Sequence, residues 1–228
     1  MMRLAFASAA AVAALFTAAV PADARAQSPE IAWNVSATSD YVFRGASQTN
    51  EDPTIQGGVD LTAGSFYAGA WASGVDFGDD TDAEVDLYGG FRTEAGGFAL
   101  DFGAVAYFYV NAPSGSDYDF VEFKAAASRA IGPVTLGAAL YWSPDFYGLD
   151  EQATYVEANA AFTPAEKWTV SGAVGHQALD VSDDYTTWNA GVAYALTENV
   201  AVDVRYHDTD VDAPLYDDRF TATLKFTF

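Results

Sequence analysis

Apolar and polar residues alternate with a period of two along most of the chain after Gln27. In the stretch 83–92, Val85 and Leu87 alternate with Glu84 and Asp86. Successive side chains of a β-strand point to opposite faces, so this period predicts strands with one apolar and one charged face. No stretch after Gln27 keeps a helical period or is long enough for a membrane helix. The pattern therefore predicts an all-β fold.

The connections between the predicted strands are alternately short and long. Short turns alternating with long loops are typical of an up-and-down antiparallel barrel, with turns at one rim and loops at the other. The long loops are predicted at 45–53, 77–82, 111–117, 144–151, 178–184 and 209–217. About twelve strands are predicted, at about 31–44, 54–63, 65–76, 83–93, 97–110, 118–129, 132–143, 152–162, 167–177, 185–195, 199–208 and 218–228.

The first 26 residues have the composition of a secretory signal peptide. Arg3 precedes an Ala-rich apolar run, and Ala24-Arg25-Ala26 forms a small-residue cleavage site. We therefore predict a signal peptide at 1–26 and a barrel at 27–228. The chain has no Cys, which excludes a disulfide scaffold, a thiolate metal site and a Cys nucleophile.

The two faces of the strands indicate a membrane barrel. A barrel of about twelve strands is too wide for an apolar core made largely of Ala and Gly, whereas lipid can cover such a surface. Buried charge is costly without water or a partner, so we expect the charged face to line a hydrated lumen. The predicted pore-lining residues are Asp40, Arg44, Glu84, Asp86, Arg92, Asp101, Glu122, Lys124, Glu157, Asp203, Arg205, Arg219 and Lys225.

Aromatic residues recur near the predicted strand ends, where membrane barrels carry two aromatic girdles. The last strand, 218–228, ends the chain on Phe228 and resembles the C-terminal signal by which the barrel-assembly machinery recognises outer-membrane barrels. The short turns are then expected in the periplasm and the long loops outside. The aromatic residues near strand ends are Trp33, Phe43, Phe98, Phe108, Trp142, Phe162, Trp168, Tyr206, Phe220 and Phe228.

The formal net charge of −22 limits the possible partners. Such a chain would repel phosphates, so no nucleic acid is expected to bind. Most acidic residues fall in or beside the long loops, where an acidic rim would concentrate cations and repel anions. The same rim could hold divalent cations shared with lipopolysaccharide, or simply keep the loops soluble.

Catalysis, metals and cofactors find little support in the sequence. The two His residues, His176 and His207, lack a clearly placed Ser on the same face, and no G-x-S-x-G motif occurs. The run from Asp208 to Asp212 begins like a calcium loop, but Ala213 and Arg219 replace the Gly and Glu that an EF-hand requires. We therefore expect no enzyme activity, no metal site and no cofactor, although weak calcium binding by the loops stays open.

One segment resembles a known family. The residues Ser39-Asp40-Tyr41-Val42-Phe43-Arg44-Gly45-Ala46-Ser47-Gln48-Thr49 are similar to the opening motif of the TorF family of proteobacterial outer-membrane porins. The likeness continues through 53–60 and 66–76, so it covers roughly residues 39–76. The resemblance implies a porin-like barrel and leaves the substrate undefined.

The motif is interpretable as a rim of the barrel. We expect Tyr41 and Phe43 to face lipid at the outer interface and Arg44 to face the lumen. Gly45 would allow the chain to bend into the first loop, which Gln48 and Thr49 could fold across the opening.

The sequence thus predicts an outer-membrane porin for passive, cation-preferring diffusion of small solutes in a Gram-negative bacterium. Its expected contacts are outer-membrane lipid, lipopolysaccharide, the assembly machinery and small solutes. The alternative is a non-conducting structural or surface-interaction barrel that binds divalent cations or lipopolysaccharide through its acidic loops.

Overall fold

The computed structural model describes residues 28–228, and the predicted signal peptide at 1–26 lies outside them. Strands make up nearly all of the regular structure, with one 3₁₀ turn at Pro214–Tyr216. No helix within 28–228 has the length and hydropathy needed to cross a membrane. The strands are β1 (Glu30–Thr38), β2 (Val42–Phe43), β3 (Ala46–Ser47), β4 (Thr54–Ala63), β5 (Phe66–Gly74), β6 (Ala83–Ala95), β7 (Phe98–Val110), β8 (Phe120–Ile131), β9 (Val134–Ser143), β10 (Ala153–Ala165), β11 (Trp168–Leu179), β12 (Tyr185–Ala195), β13 (Val200–Thr209) and β14 (Arg219–Thr227).

Twelve of these strands form a closed antiparallel barrel, which confirms the predicted fold class. From β4 to β14 each strand pairs with the next one along the chain, and β1 closes the ring between β4 and β14. The closure leaves no wall strand with an unpaired edge, as hydrocarbon requires. Eleven wall strands begin and end within three residues of their predicted bounds.

The first predicted strand, 31–44, is wrong at its C-terminal end. The wall strand β1 ends at Thr38, and the chain then turns into the barrel, where β2 and β3 pair as a short hairpin. Arg44 and Gly45 form the turn of this hairpin with φ angles of +46° and +86°. Gly adopts a positive φ without strain, which explains why a glycine occupies position 45.

The alternation along the wall strands separates an outward-facing from a lumen-facing set. On β1, Ile31, Trp33 and Val35 are exposed, whereas Asn34 and Ser36 are buried inside the barrel. The same alternation holds along the other wall strands, with apolar residues on the outer surface. The sequence period therefore translates directly into the two sides of the barrel wall.

Most of the aromatic residues predicted near strand ends lie on the outer surface, with one exception. Trp33, Phe98, Phe162 and Phe220 are exposed on the outer surface near strand ends. Phe43 was expected there and is buried within the barrel instead, as is Tyr41. Both follow the wall's alternation in sequence, but the inward turn after Thr38 takes them away from lipid.

Candidate functional site: the barrel lumen

The lumen contains part of the chain itself. We call Ser39–Thr49 the inner segment. Its hairpin is held by β2–β3 pairing and by the backbone N–H of Gln48, which donates to the backbone carbonyl of Tyr41 at 2.7 Å. Most of its residues are buried. The long connection between β1 and β4 therefore fills the loop side of the barrel rather than extending outside it.

Arg44 fixes the tip of the inner segment to the barrel wall. Its Nη1 and Nη2 donate to the two carboxylate oxygens of Glu122 on β8, and Nη1 also donates to the Gln177 Oε1 on β11 at 2.9 Å. The guanidinium lies 4.3 Å from the ring centroid of Tyr155 and 5.3 Å from that of Tyr141. A buried cation thus has both a charge partner and aromatic faces around it.

A second ion pair holds the start of the inner segment. Asp40 accepts a hydrogen bond from Arg219 of β14 at 3.2 Å and further ones from the hydroxyls of Ser47 and Thr49. The carboxylate therefore joins both ends of the inner segment to the barrel wall. Thr49, predicted to help fold the first loop across the opening, holds that loop within the lumen through its hydrogen bond to Asp40.

An internal aromatic cluster packs against the inner segment. Tyr41 meets the ring of Trp71 edge-on, with centroids 5.4 Å apart, and donates from its hydroxyl to Glu84 at 2.9 Å. Phe43 packs on Tyr107, which stacks on Phe120. Tyr41 and Phe43 are apolar anchors for this internal core, so their apolar character reflects packing inside the barrel.

The turn side of the lumen is more open. Asp101 accepts hydrogen bonds from Lys124 at 2.9 Å, from Tyr67 at 2.7 Å and from Arg92 at 3.4 Å. The Arg92 side chain is 48% exposed, whereas the Arg44 side chain is 5% exposed. Arg92 therefore reaches solvent at the turn side, whereas its partner Asp101 and the Arg44–Glu122 pair at the inner segment are buried.

A further charged group lies on β13. Arg205 contacts Asp203 at 3.1 Å and donates to Asn189 on the adjacent strand β12 and to Ser171 on β11, one strand further. Glu157 on β10 accepts from Asn159 at 2.9 Å. These side chains occupy inward positions, and several of them bridge adjacent strands.

The residues predicted as pore-lining all occupy inward positions of the wall or the inner segment. The structure brings together three groups: Arg44 with Glu122, Asp40 with Arg219, and Asp101 with Arg92 and Lys124. Glu84 and Asp86 lie next to each other on β6, apart from those groups. Sequence reasoning missed the partners Gln177, Tyr107, Tyr141 and Tyr155, whose inward parity on their strands was the available signal.

The loops outside the wall are ordered by acidic side chains that accept backbone hydrogen bonds. Glu151 accepts from the amides of Val181 and Ser182 and from the Ser182 hydroxyl at 2.7 Å. Burial raises the pKa of Glu151, but these hydrogen bonds outweigh burial and hold the pKa below its ordinary value. Hydrogen bonding to Thr81 likewise lowers the pKa of Asp79. Some loop acids are thus structural.

The family model of a bacterial protein family of unknown function, Gcw_chp, matches residues 23–228. The chain belongs to the Gcw_chp family. No curated protein shows significant sequence similarity to it.

Solved structures similar to this Gcw_chp chain are outer-membrane barrels. A KdgM porin superposes with a TM-score of 0.61 at 7% sequence identity, covering 87% of this chain and 98% of the porin. A structure of KdgM porin in complex with disordered oligogalacturonate matches with the same score, identity and coverage. At such low identity the likeness shows the fold, a porin-like barrel.

Proposed function

We propose that the protein is an outer-membrane channel for passive, cation-preferring diffusion of small solutes, closed at rest by its inner segment. The observation that carries the proposal is a lumen lined by charged side chains, with Arg92 exposed at the turn side and the inner segment buried at the loop side. The porin-like fold and the TorF-like motif at 39–76 support the same assignment.

The location and orientation follow from the proposal. The exposed apolar wall between aromatic rims fits the outer membrane, with the turns in the periplasm and the acidic loops outside. The inner segment then blocks the lumen from the external side. Opening requires the inner segment to move, which breaks the Arg44–Glu122 pair.

Conductance in planar bilayers tests the channel. We expect rare opening steps for the wild-type protein and frequent ones for Arg44→Ala, because the variant loses the contact that holds the hairpin tip to β8. Arg129→Ala is the matched control, since Arg129 lies on the outer face of the same strand against Phe98. Absence of steps in every variant, at every voltage, would reject a diffusion channel.

The cation preference rests on an excess of acidic over basic groups on the lumen side. Glu84 and Asp86 have no basic partner within 28–228, and acidic side chains such as Asp79 and Asp119 lie in the loops above. Fixed negative charge raises the local concentration of cations. The reversal potential of the Arg44→Ala channel in a potassium chloride gradient measures this preference, and anion selectivity would contradict it.

A non-conducting barrel is the second candidate, favoured by the density of the internal contacts. The inner segment is buried against β6, β7 and β8, and its ion pairs brace the wall. In that case the function would lie in the acidic loops and not in the lumen, and the loops would bind divalent cations shared with lipopolysaccharide. Calcium-dependent binding of purified lipopolysaccharide without conductance would favour this candidate.

A further inference from the structure

Two carboxylates beneath the inner segment lack a positive partner. Glu84 and Asp86 are neighbours on the inward face of β6, and both are more than nine-tenths buried. Their carboxyl groups interact with each other. No Lys, Arg or His in the described chain forms an ion pair with either residue, in contrast to Glu122, Asp101 and Asp40.

Unpaired polar atoms lie along the same band of the wall. The Asp86 Oδ1, the Trp71 Nε1 and the Asn34 Oδ1 are each buried without a hydrogen-bond partner among residues 28–228. Trp71 is the register partner of Asp86, and Gly58 lies between Trp71 and Asn34 in the adjoining strands. The three orphan atoms therefore follow one row across β6, β5, β4 and β1.

Gly58 lies in the middle of this row, where its backbone passes close to both polar side chains. A Cβ at Gly58 would lie 3.3 Å from the Trp71 Cδ1, next to the orphan Nε1, and 3.2 Å from the Asn34 Nδ2. The amide of Asn34 and the polar edge of Trp71 thus face each other over a residue without a side chain. Buried polar groups in such a position are normally satisfied by ordered water.

We propose that Glu84 and Asp86 bind one hydrated divalent cation of the magnesium type in the lumen. Two adjacent buried carboxylates repel each other unless a cation or a proton lies between them. A divalent ion balances both charges, and its water shell can supply partners for the orphan atoms of Asp86 and of its register partner Trp71. A shared proton would relieve the repulsion but would leave those atoms without partners.

The number of protein ligands favours magnesium over calcium or zinc. Residues 28–228 contain no group of three His, Asp or Glu side chains placed to hold a metal ion. Calcium takes six to eight oxygen ligands and structural zinc four protein ligands, whereas magnesium keeps several waters and is held by one or two carboxylates. Glu84 also accepts from Tyr41, so the ion would lie directly under the inner segment.

Binding of Mn²⁺, a spectroscopic substitute for Mg²⁺, tests the site in the detergent-purified full chain after removal of metals. Electron paramagnetic resonance titration is expected to show one tight site in the wild type, weakened at least about tenfold in Asp86→Asn. Asp183→Asn removes an exposed loop carboxylate and serves as the control with unchanged tight binding. Equal isotherms for the wild type and Asp86→Asn would overturn the site.

Anomalous diffraction from wild-type crystals soaked in Mn²⁺ gives a second readout that needs no variant. A peak beside Glu84 and Asp86 is expected. Peaks confined to the acidic loops, or a Tl⁺ peak at this position without Mn²⁺, would reject a divalent site. The inference rests on the proposed cation preference and deepens it. Metal binding is measured without conductance, so the metal site and the channel can be rejected independently of each other.

Discussion

Arg44 donates from Nη1 and Nη2 to the Oε1 and Oε2 of Glu122 at 2.8 and 2.7 Å, joining the inner segment to β8 through a two-point ion pair. Both residues are buried, with 8% and 1% of their surface exposed. Bidentate guanidinium–carboxylate pairs fix direction as well as distance. The pair therefore sets where the hairpin tip lies within the barrel.

Removing both partners of this pair should cost much less than the two single removals added together. We expect Arg44→Ala and Glu122→Ala each to lower the free energy of unfolding by about 3–5 kcal/mol, since each leaves a buried charge unpaired. The double variant should lose much less than the sum. Urea unfolding in detergent micelles, followed by Trp fluorescence, measures the three values.

Arg92→Ala is the control for this cycle. Its partner Asp101 keeps Lys124, and the Arg92 side chain is half exposed. An exposed pair of this kind contributes about 0–1 kcal/mol. Strict additivity of the Arg44 and Glu122 losses would contradict the role given to the buried pair.

Gly45 is required by both its backbone and its surroundings. Its φ is +86°, and a Cβ would overlap Thr209 and lie 2.8 Å from the Thr187 Oγ1. Gly64, at the turn between β4 and β5, has a φ of +62° but no atom within 4 Å of a Cβ. Gly64→Ala is therefore a control for the backbone cost alone, about 1 kcal/mol.

Gly45→Ala should lower the free energy of unfolding by that backbone cost plus about 1–3 kcal/mol, because the added methyl group is forced against β12 and β13. Unfolding midpoints of the two variants compare the effects, and bilayer conductance reports whether the hairpin has been displaced. Equal losses for Gly45→Ala and Gly64→Ala would show that the close packing of the hairpin tip is not significant.

The wall of the barrel could be predicted from sequence because each wall strand is determined by residues that are close together in the chain. Each wall strand needs an apolar face for lipid, so Val85 and Leu87 on one side and Glu84 and Asp86 on the other define both strand and sidedness. The alternation of turns and loops then gives the order of the strands. These rules need no knowledge of distant contacts.

The inner segment could not be predicted in the same way. Tyr41 and Phe43 continue the alternation of β1, and an apolar face looks the same whether lipid or an internal core covers it. The pairing of Arg44 with Glu122 joins residues 78 positions apart and depends on closure of the whole barrel. Gly45 beside a lone Arg was the local signal for a turn, but its inward direction depends on the packing partners Trp71 and Tyr107.

The loop between β11 and β12 should respond to acid through Glu151. The pKa of Glu151 is lowered from an ordinary value of 4.5, so its contribution to folding is complete above that value and is lost as the pH falls through the lowered pKa. The amides of Val181 and Ser182 lose their acceptor when the carboxylate is protonated. Their amide shifts in an NMR titration should therefore inflect below pH 4.5.

Glu151→Gln supplies the control for this titration. The amide oxygen still accepts one hydrogen bond but does not titrate, so the Val181 and Ser182 shifts should stay flat over the same acid range. Inflections that persist in Glu151→Gln would assign the response to other loop carboxylates, such as Asp184, which accepts from the Leu179 amide.

Phe228 should matter for assembly more than for the stability of the finished barrel. Its backbone closes the ring through reciprocal hydrogen bonds with Trp33 at 2.9 and 3.2 Å, which substitution of the side chain preserves. The side chain itself is 73% exposed on the outer surface. We expect Phe228→Ala to lower the amount of folded protein in outer membranes several-fold, on the proposal that the assembly machinery recognises the aromatic side chains of β14.

Phe220 provides the matched comparison, since it lies on the same outer face of β14 at the loop end and is 74% exposed. Phe220→Ala removes the same apolar area, so both variants should lose similar stability after refolding in detergent. Immunoblots of outer-membrane fractions measure yield, and heat-shifted gel mobility measures the folded fraction. Equal membrane yields for the two variants would assign Phe228 to ordinary lipid contact, whereas a loss confined to Phe228→Ala places its role before the barrel is complete.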